Sequence, residues 1–317
     1  MDNDSGISYR DRRSGRTITE PLSYAFFQRV FHASFVLGLF HLLLNNSVFC
    51  RLYGWMQTRP GSVRKISRFV GKYGIDLEEI EFPLDRYRSF NGFFTRRLKP
   101  DARPFAPEPD TFPCPAEGKV LVYQQLEDGA LIPVKGASVP LELLLDSEDE
   151  ADTYRDGSAL VVRLAPYDYH RFHFPDSGTA GPARVVAGRY FIVNPLGLAR
   201  VPGVFWRNKR AITSFDSDRF GRIAYVEIGG FAVGSIVETY TPGPVCRGQE
   251  KGYFQFGGST IVLLFEPGMV VFDDDLTADS VRGIEVHVRA GSGIGRQACF
   301  DKPLRQAQCK QRKQHMQ

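Results

Sequence analysis

After Pro113 the chain is a succession of short apolar runs, each closed off by Gly, Pro or acidic residues, and this texture constrains the fold more than any other feature. GKVLVYQQLEDGALIPV reads as two strands around a Glu-Asp-Gly turn, and ALVVRLAP as another strand. RIAYVEIGGFAVGSIVETY, STIVLLFEPGMVVF and GIEVHVRAG continue the series. Runs of this length, rich in Val, Ile and aromatic residues, favour extended chain over helix. One helical interruption stands near PLELLLDSEDE. The expected class is α+β, with helices first and then a strand-rich, barrel- or sandwich-like core over residues 81–300. With 317 residues, 43% of them hydrophobic, such a core can be filled. Forty basic against 36 acidic residues is a balance that excludes a disordered or collagen-like chain.

Upstream of the strands the character differs. Residues 1–20 are polar and rich in Gly, Ser and Arg, which predicts a flexible arm. Tyr24 to Tyr53 then reads YAFFQRVFHASFVLGLFHLLLNNSVFCRLY. Its most apolar part, Ser34 to Leu44, is about 11 residues, against the roughly 20 that a membrane-spanning helix needs. A buried helix and a helix lying in a bilayer surface both satisfy this pattern. Two basic stretches follow. SVRKISRFVGKYG is helical in period, with Val63, Ile66, Phe69 and Val70 on one face. DRYRSFNGFFTRRLKPDARPF carries six cations against two acids. Cations interleaved with aromatic residues suit anionic headgroups, each contributing roughly 1 kcal/mol near such a surface. Nucleic acid is the rival partner for this pattern. The neighbouring apolar helix favours lipid, so residues 21–80 are expected to be a helical, membrane-associating region and no nucleic-acid partner is expected. The segment 301–317 reads as a basic tail. The five scattered cysteines show no CxxC spacing, so neither a disulfide framework nor a zinc site is expected, and a reducing compartment fits. No secretory signal is expected in the first residues.

Three passages could carry chemistry. In Tyr169-His170-Arg171-Phe172-His173-Phe174-Pro175 two histidines stand three apart in a strand-like context. An odd separation along a strand sends side chains to opposite faces, so the pair would have separate duties rather than share a metal. One structural and one exposed histidine satisfies the spacing equally well. In Phe254-Gln255-Phe256-Gly257-Gly258-Ser259-Thr260 two glycines and a serine run straight into the apolar strand IVLLF. Glycine tolerates unusual backbone and leaves its carbonyl open to the adjoining hydroxyl, although most such triplets are ordinary loop endings. The passage is neither a phosphate-binding P-loop nor a Gly-x-Ser-x-Gly elbow. In Pro113-Cys114-Pro115-Ala116-Glu117-Gly118 a carboxylate sits at a turn before a strand. Serine, histidine and carboxylate from separate segments can form nucleophile, base and orienting group, in any chain order.

Together, SFNGFFTRRLKPDARPF, PAEGKV, APYDYHRFHFP and KGYFQFGGST resemble the phosphatidylserine decarboxylases, most closely the short bacterial branch with a Gly-Gly-Ser-Thr processing site. VKGASVPLELLL, GRYFIVNPLGLARVPGVFWRNKR and VEIGGFAVGSIVETY support the resemblance, which runs from about Leu52 to Pro267. It implies a precursor that cuts itself between Gly258 and Ser259 into residues 1–258 and 259–317. Ser259 would attack the Gly258 carbonyl, and elimination and hydrolysis would convert it to a pyruvoyl group. That group would form a Schiff base with phosphatidylserine, accept electrons as CO2 leaves, and yield phosphatidylethanolamine. The resemblance makes His173 the base for self-cleavage and puts a carboxylate, here Glu117, behind it as the orienting group. His170 is the candidate for proton donation or carboxylate recognition, and Arg96, Arg97 and Lys99 are candidate phosphate contacts. No metal and no pyridoxal phosphate are implied. The expected partners are phosphatidylserine, an anionic membrane surface, the two chains held as a heterodimer, and a second copy in a homodimer. The expected location is peripheral, on the cytoplasmic face of the cell membrane.

One residue departs from the family pattern. Glu117-Gly118 stands where Asp-Gly is usual, keeping the acid but adding a methylene. A misplacement of about 1 Å can cost around 100-fold in rate. Two further readings therefore stand beside the decarboxylase: a lipid-binding homologue that no longer processes, and a serine esterase using Ser259 and His173 directly.

Overall fold

The computed structural model describes residues 7–20, 47–126, 130–134, 137–193, 198, 201–230 and 235–298. The apolar run before Ser47 and the basic tail lie outside these residues. The class is α+β and the core is dominated by strands.

An eleven-stranded sheet forms the body. Its middle is the sequence Arg210–Ser217, Gly221–Gly229, Ser259–Phe265, Ser158–Leu164, Gly118–Tyr123, Glu285–Val288, all antiparallel neighbours. Ser259–Phe265 lies at the centre and is buried at every position, because its run of apolar residues must be covered on both faces. Alternation divides it between two cores. Ile261, Leu263 and Phe265 join one with Phe112, Phe172, Phe215 and Tyr225, whereas Val262 and Leu264 join another with Leu144, Tyr154 and Phe205. The second core is closed by the helices Leu141–Leu145, Glu148–Tyr154 and Val204–Arg207.

Two local expectations need correction. The strands on either side of Glu127-Asp128-Gly129 do not pair with each other: Gly118–Tyr123 is taken by the main sheet, and Ala130–Val134 pairs with Ala137–Pro140. The expected flexible arm is, over its described part, a hairpin of Ser8–Asp11 and Thr17–Thr19. It extends the sheet by a parallel pairing of Tyr9 with Glu285. Arg10 and Arg12 fix it to Asp273, Asp275 and Asp279 around the helix Asp274–Val281, with Arg12 Nη2 2.6 Å from Asp273.

The helical segment forms as its period suggests. Ser47–Thr58 and Arg64–Tyr73 are helices, and Ile66, Ile80, Phe90, Phe93 and Phe94 make a small separate core. Phe256 packs against that core, and its amide donates to Asn91 Oδ1 at 2.9 Å. The helical segment is thereby attached to the stretch just before Gly257-Gly258-Ser259. No helix among the described residues is long and apolar enough to cross a membrane.

Candidate active site

Ser259 opens the central strand, where it is paired with Gly229 on one side and Leu164 on the other, and it is fully buried. Leu164 ends its own strand, and the chain then turns back on itself. Asp168 makes that turn: its amide donates to the Ala165 carbonyl at 2.9 Å, and its carboxylate accepts from the Ala165 amide at 2.7 Å. Burial by itself would raise the Asp168 carboxyl, but Lys119, with Nζ 2.9 Å from both oxygens, and His287 hold it well below the usual carboxylate range.

The turn delivers His170 to Ser259. Nδ1 of His170 lies 3.4 Å from Ser259 Oγ, and Nε2 lies 3.0 Å from the Ala165 carbonyl oxygen. A carbonyl can only accept, so Nε2 carries the hydrogen and Nδ1 presents its lone pair to the serine hydroxyl. The Phe94 ring lies 4.1 Å from the imidazole, and the His170 carbonyl accepts from the Phe254 amide at 2.9 Å. Burial pushes the imidazole down to about 3, with Asp168 opposing and Arg96 assisting, so the ring is neutral at neutral pH. An uncharged imidazole with a free lone pair on a serine hydroxyl is an arrangement for proton transfer.

The other expected members are placed differently. His173 ends the strand Arg171–His173 and packs against Phe105 and Tyr169, with ring centroids 5.4 and 6.1 Å away. Its Nδ1 is buried without a hydrogen-bond partner, and burial takes its pKa down to about 4. The partner of Ser259 Oγ is therefore His170 rather than the expected His173. Glu117 does not orient an imidazole through a hydrogen bond. It pairs with Arg103, which also holds Glu79 at 2.9 Å. Ligand atoms of Glu117, Asp168 and His287 lie within 4.8 Å of one another, a grouping that could suit a metal ion. Arg103 and Lys119 already neutralise its carboxylates, which leaves little attraction for a further cation.

The scissile segment has its own geometry. Gly257 has φ +142°, a conformation that side chains disfavour. The Gly258 carbonyl accepts from the Gly230 amide at 2.9 Å. A Cβ at position 258 would meet only Val193 Cγ2, at an ordinary 3.6 Å. The tight position is Gly230, where a Cβ would stand 2.7 Å from the Gly258 oxygen.

Of the three candidate anion contacts, Arg97 and Lys99 are exposed and Arg96 is buried. Arg96 Nη2 donates to the Tyr167 carbonyl at 3.2 Å, while its Nε and Nη1 have no partner. Burial pushes this guanidinium below its usual pKa, and Arg96 in turn lowers His170. Asp168, which sits inside the quoted histidine motif, was legible as a residue but not as the turn-maker. Gly230 carried no signal beyond its Gly-Gly doublet.

Comparison with known proteins fits this site. Residues 90–296 match the family model of the phosphatidylserine decarboxylases. The chain is 43% identical over 290 residues to the phosphatidylserine decarboxylase proenzyme of Chlamydia muridarum, covering 91% of this chain and 96% of that one. It is 40% identical over 291 residues to the proenzyme of Desulfitobacterium hafniense, covering 91% and 98%, and 40% over 267 residues to that of Ruminiclostridium cellulolyticum, covering 84% and 88%. With the match spanning the buried serine, its histidine and the glycines before it, the chain belongs to the phosphatidylserine decarboxylase family.

Proposed function

We propose that this chain is a self-cutting precursor whose product decarboxylates phosphatidylserine to phosphatidylethanolamine. The observation that carries the proposal is the 3.4 Å contact between a fully buried Ser259 hydroxyl and the lone-pair nitrogen of a neutral His170, beside a hydrogen-bonded Gly258 carbonyl. In the self-cleavage, Ser259 Oγ attacks the Gly258 carbonyl carbon while an imidazole takes the hydroxyl proton. The C–N bond then breaks, and Ser259 nitrogen receives that proton. Residue 259 fits conversion to a pyruvoyl group, because its hydroxyl adjoins the Gly258 carbonyl and a proton-accepting ring; elimination from the ester leaves dehydroalanine, which one entering water hydrolyses with release of ammonia. When formed, that group supplies an electron sink for loss of CO2. His170 Nδ1 stands at the residue-259 position, where it can take up a proton and pass it to the carbon left by CO2.

Arg96 is proposed to bind the anionic headgroup. Two guanidinium nitrogens buried without partners are costly unless something anionic reaches them. Exposed Arg97 and Lys99 would face anionic lipid instead. Glu117, clamped by Arg103, is proposed to support the turn beneath His170 electrostatically, alongside Asp168. The esterase reading loses ground because Ser259 opens a central strand, whereas a hydrolase serine stands at a strand-to-helix turn. The non-processing reading rests on the Glu117–Arg103 pairing and predicts a single chain. Intact mass spectrometry decides between them. The decarboxylase reading requires chains 1–258 and 259–317, the second lighter by one ammonia than a chain beginning with serine. A single full-length chain that releases no CO2 from phosphatidylserine would overturn it.

The two chains would stay together without a covalent link. Residues 259–297 supply the central strand, the strand Glu285–Val288 and the helix Asp274–Val281, each enclosed by residues from before the cut. A homodimer and a peripheral position on the cytoplasmic face are carried over from the resemblance as proposals.

We also propose that the helix Ser47–Thr58 docks on anionic membranes. Leu52, Trp55 and Met56 are each about half exposed, at 53%, 50% and 51%, and Arg59 lies over the Trp55 ring at 3.8 Å. Aromatic and aliphatic residues beside a cation suit the headgroup boundary. The expected result is flotation of the full chain with phosphatidylserine-containing vesicles, reduced severalfold by the combined Leu52→Ser, Trp55→Ser, Met56→Ser variant. Undiminished flotation of that variant would refute the docking role.

A further inference from the structure

The long stretch GRYFIVNPLGLARVPGVFWRNKR and the doublet Gly229-Gly230 have no part in the chemistry described so far, yet they meet at the scissile carbonyl. Antiparallel pairing brings Gly229 opposite Ser259, and one step further the Gly230 amide donates to the Gly258 carbonyl oxygen at 2.9 Å. The same peptide unit is held from its other end. Asn208, fully buried, donates from Nδ2 to the Gly229 carbonyl at 2.9 Å and to the Phe191 carbonyl at 2.9 Å. Its Oδ1 accepts from the Phe191 amide at 2.9 Å, which fixes the orientation of the amide group because a backbone N–H can only donate. A hydrogen bond to the carbonyl of a peptide polarises its N–H, so the two bonds strengthen each other.

We infer that the peptide between Gly229 and Gly230, braced by Asn208, is the oxyanion donor of self-cleavage. The inference rests on the proposed self-cutting reaction and adds the group that stabilises its intermediate. When Ser259 Oγ bonds to the Gly258 carbonyl carbon, the C=O electron pair moves onto oxygen. That oxygen is the atom facing the Gly230 N–H, at a separation inside the 2.7–3.1 Å range of effective donors. Collapse returns the pair, breaks the bond to Ser259 nitrogen and leaves an ester. The donor is preorganised, buried and part of a sheet, so it needs no rearrangement as charge develops. Glycine at 230 follows from the same geometry: a Cβ would meet the Gly258 oxygen at 2.7 Å, the Gly258 carbon at 3.3 Å and Val193 Cγ2 at 3.0 Å. Any side chain would push the carbonyl off its donor.

The test replaces the amide without changing its shape. Full-length chain made by cell-free translation with glycolic acid at position 230 has an ester oxygen where the N–H was, and cleavage is followed by pulse-chase. Loss of one oxyanion donor is expected to slow cleavage by about 100-fold or more. The control is glycolic acid at 229, because the Gly229 amide bonds the Lys209 carbonyl at 3.0 Å and its loss removes an ordinary sheet bond of similar length. That chain should cleave within a few-fold of the unmodified one. Equal slowing of both, or an unslowed 230 ester, overturns the inference. Should the 230 ester fail to fold, Gly230→Ala serves instead: slowed processing in a folded chain is expected, and processing at the parental rate overturns the inference. Failure of the unmodified chain to cleave at all would strike the self-cutting reaction itself, a separate outcome.

Discussion

Ser259→Ala is expected to give one folded, full-length chain that releases no CO2 from phosphatidylserine. The substitution removes a single oxygen from a fully buried site, and the bond it loses is a 3.4 Å contact to His170 Nδ1. A weak neutral hydrogen bond of that kind contributes about 1 kcal/mol or less, so the sheet should survive. The chemistry should not. Without the hydroxyl there is no nucleophile on the Gly258 carbonyl, no ester, and no atom from which a pyruvoyl group can be made. The effect is thus complete rather than partial, unlike that of any supporting residue. Gel mobility reports the uncut chain, circular dichroism reports its fold, and labelled CO2 reports turnover. Cleavage at Gly258 in the Ala variant, or turnover by an uncut chain, would remove Ser259 from the reaction.

The parts of this molecule legible in the sequence are those decided by local pattern. Ile261, Val262, Leu263, Leu264 and Phe265 form a continuous apolar run that only a strand covered on both faces can use, and the two cores receive them alternately. Val63, Ile66, Phe69 and Val70 likewise announced a helix with one buried face. His170 and His173 occupy separate environments, although only His173 lies in the strand Arg171–His173 and His170 ends the turn before it. What the spacing could not reveal was which ring would meet Ser259. That depends on the turn from Ala165 to His170, built by Asp168 and held by Lys119, 49 residues away in sequence. The hairpin at Ser8–Thr19 was hidden for the same reason. Its partners, Glu285 by sheet pairing and Asp273, Asp275 and Asp279 by charge, lie at the other end of the chain. Glu117 looked like an orienting carboxylate because of its motif, but a carboxylate takes the nearest good donor, and Arg103 is that donor.

The two histidines should fail in different ways when each is replaced by alanine, and the difference assigns the base. His170 touches the reacting residue, so His170→Ala should lose decarboxylation by about 100-fold or more in a cut chain, the usual span for a positioned proton-transfer group, and entirely in an uncut one. Cleavage is the sharper readout. The contact geometry gives the Ser259 proton to His170, whose Nε2–H is locked on the Ala165 carbonyl, leaving Nδ1 as the acceptor. The family resemblance gives it to His173, whose buried Nδ1 has no hydrogen-bond partner. If His170 is the base, His170→Ala remains full length and His173→Ala is cut. If His173 is the base, His173→Ala remains full length, and His170→Ala is cut but inactive, which confines His170 to the decarboxylation step. The neutral state of both rings makes either assignment workable at neutral pH, since burial has taken their pKa values down to about 3 and about 4. If both alanine variants are cut at the parental rate, neither ring takes the proton. A His170→Ala variant that is cut and decarboxylates normally would remove His170 from the site altogether. That outcome would also break the link between the Asp168 turn and the chemistry, because among the described residues His170 is the side chain of that turn that meets the Ser259 hydroxyl.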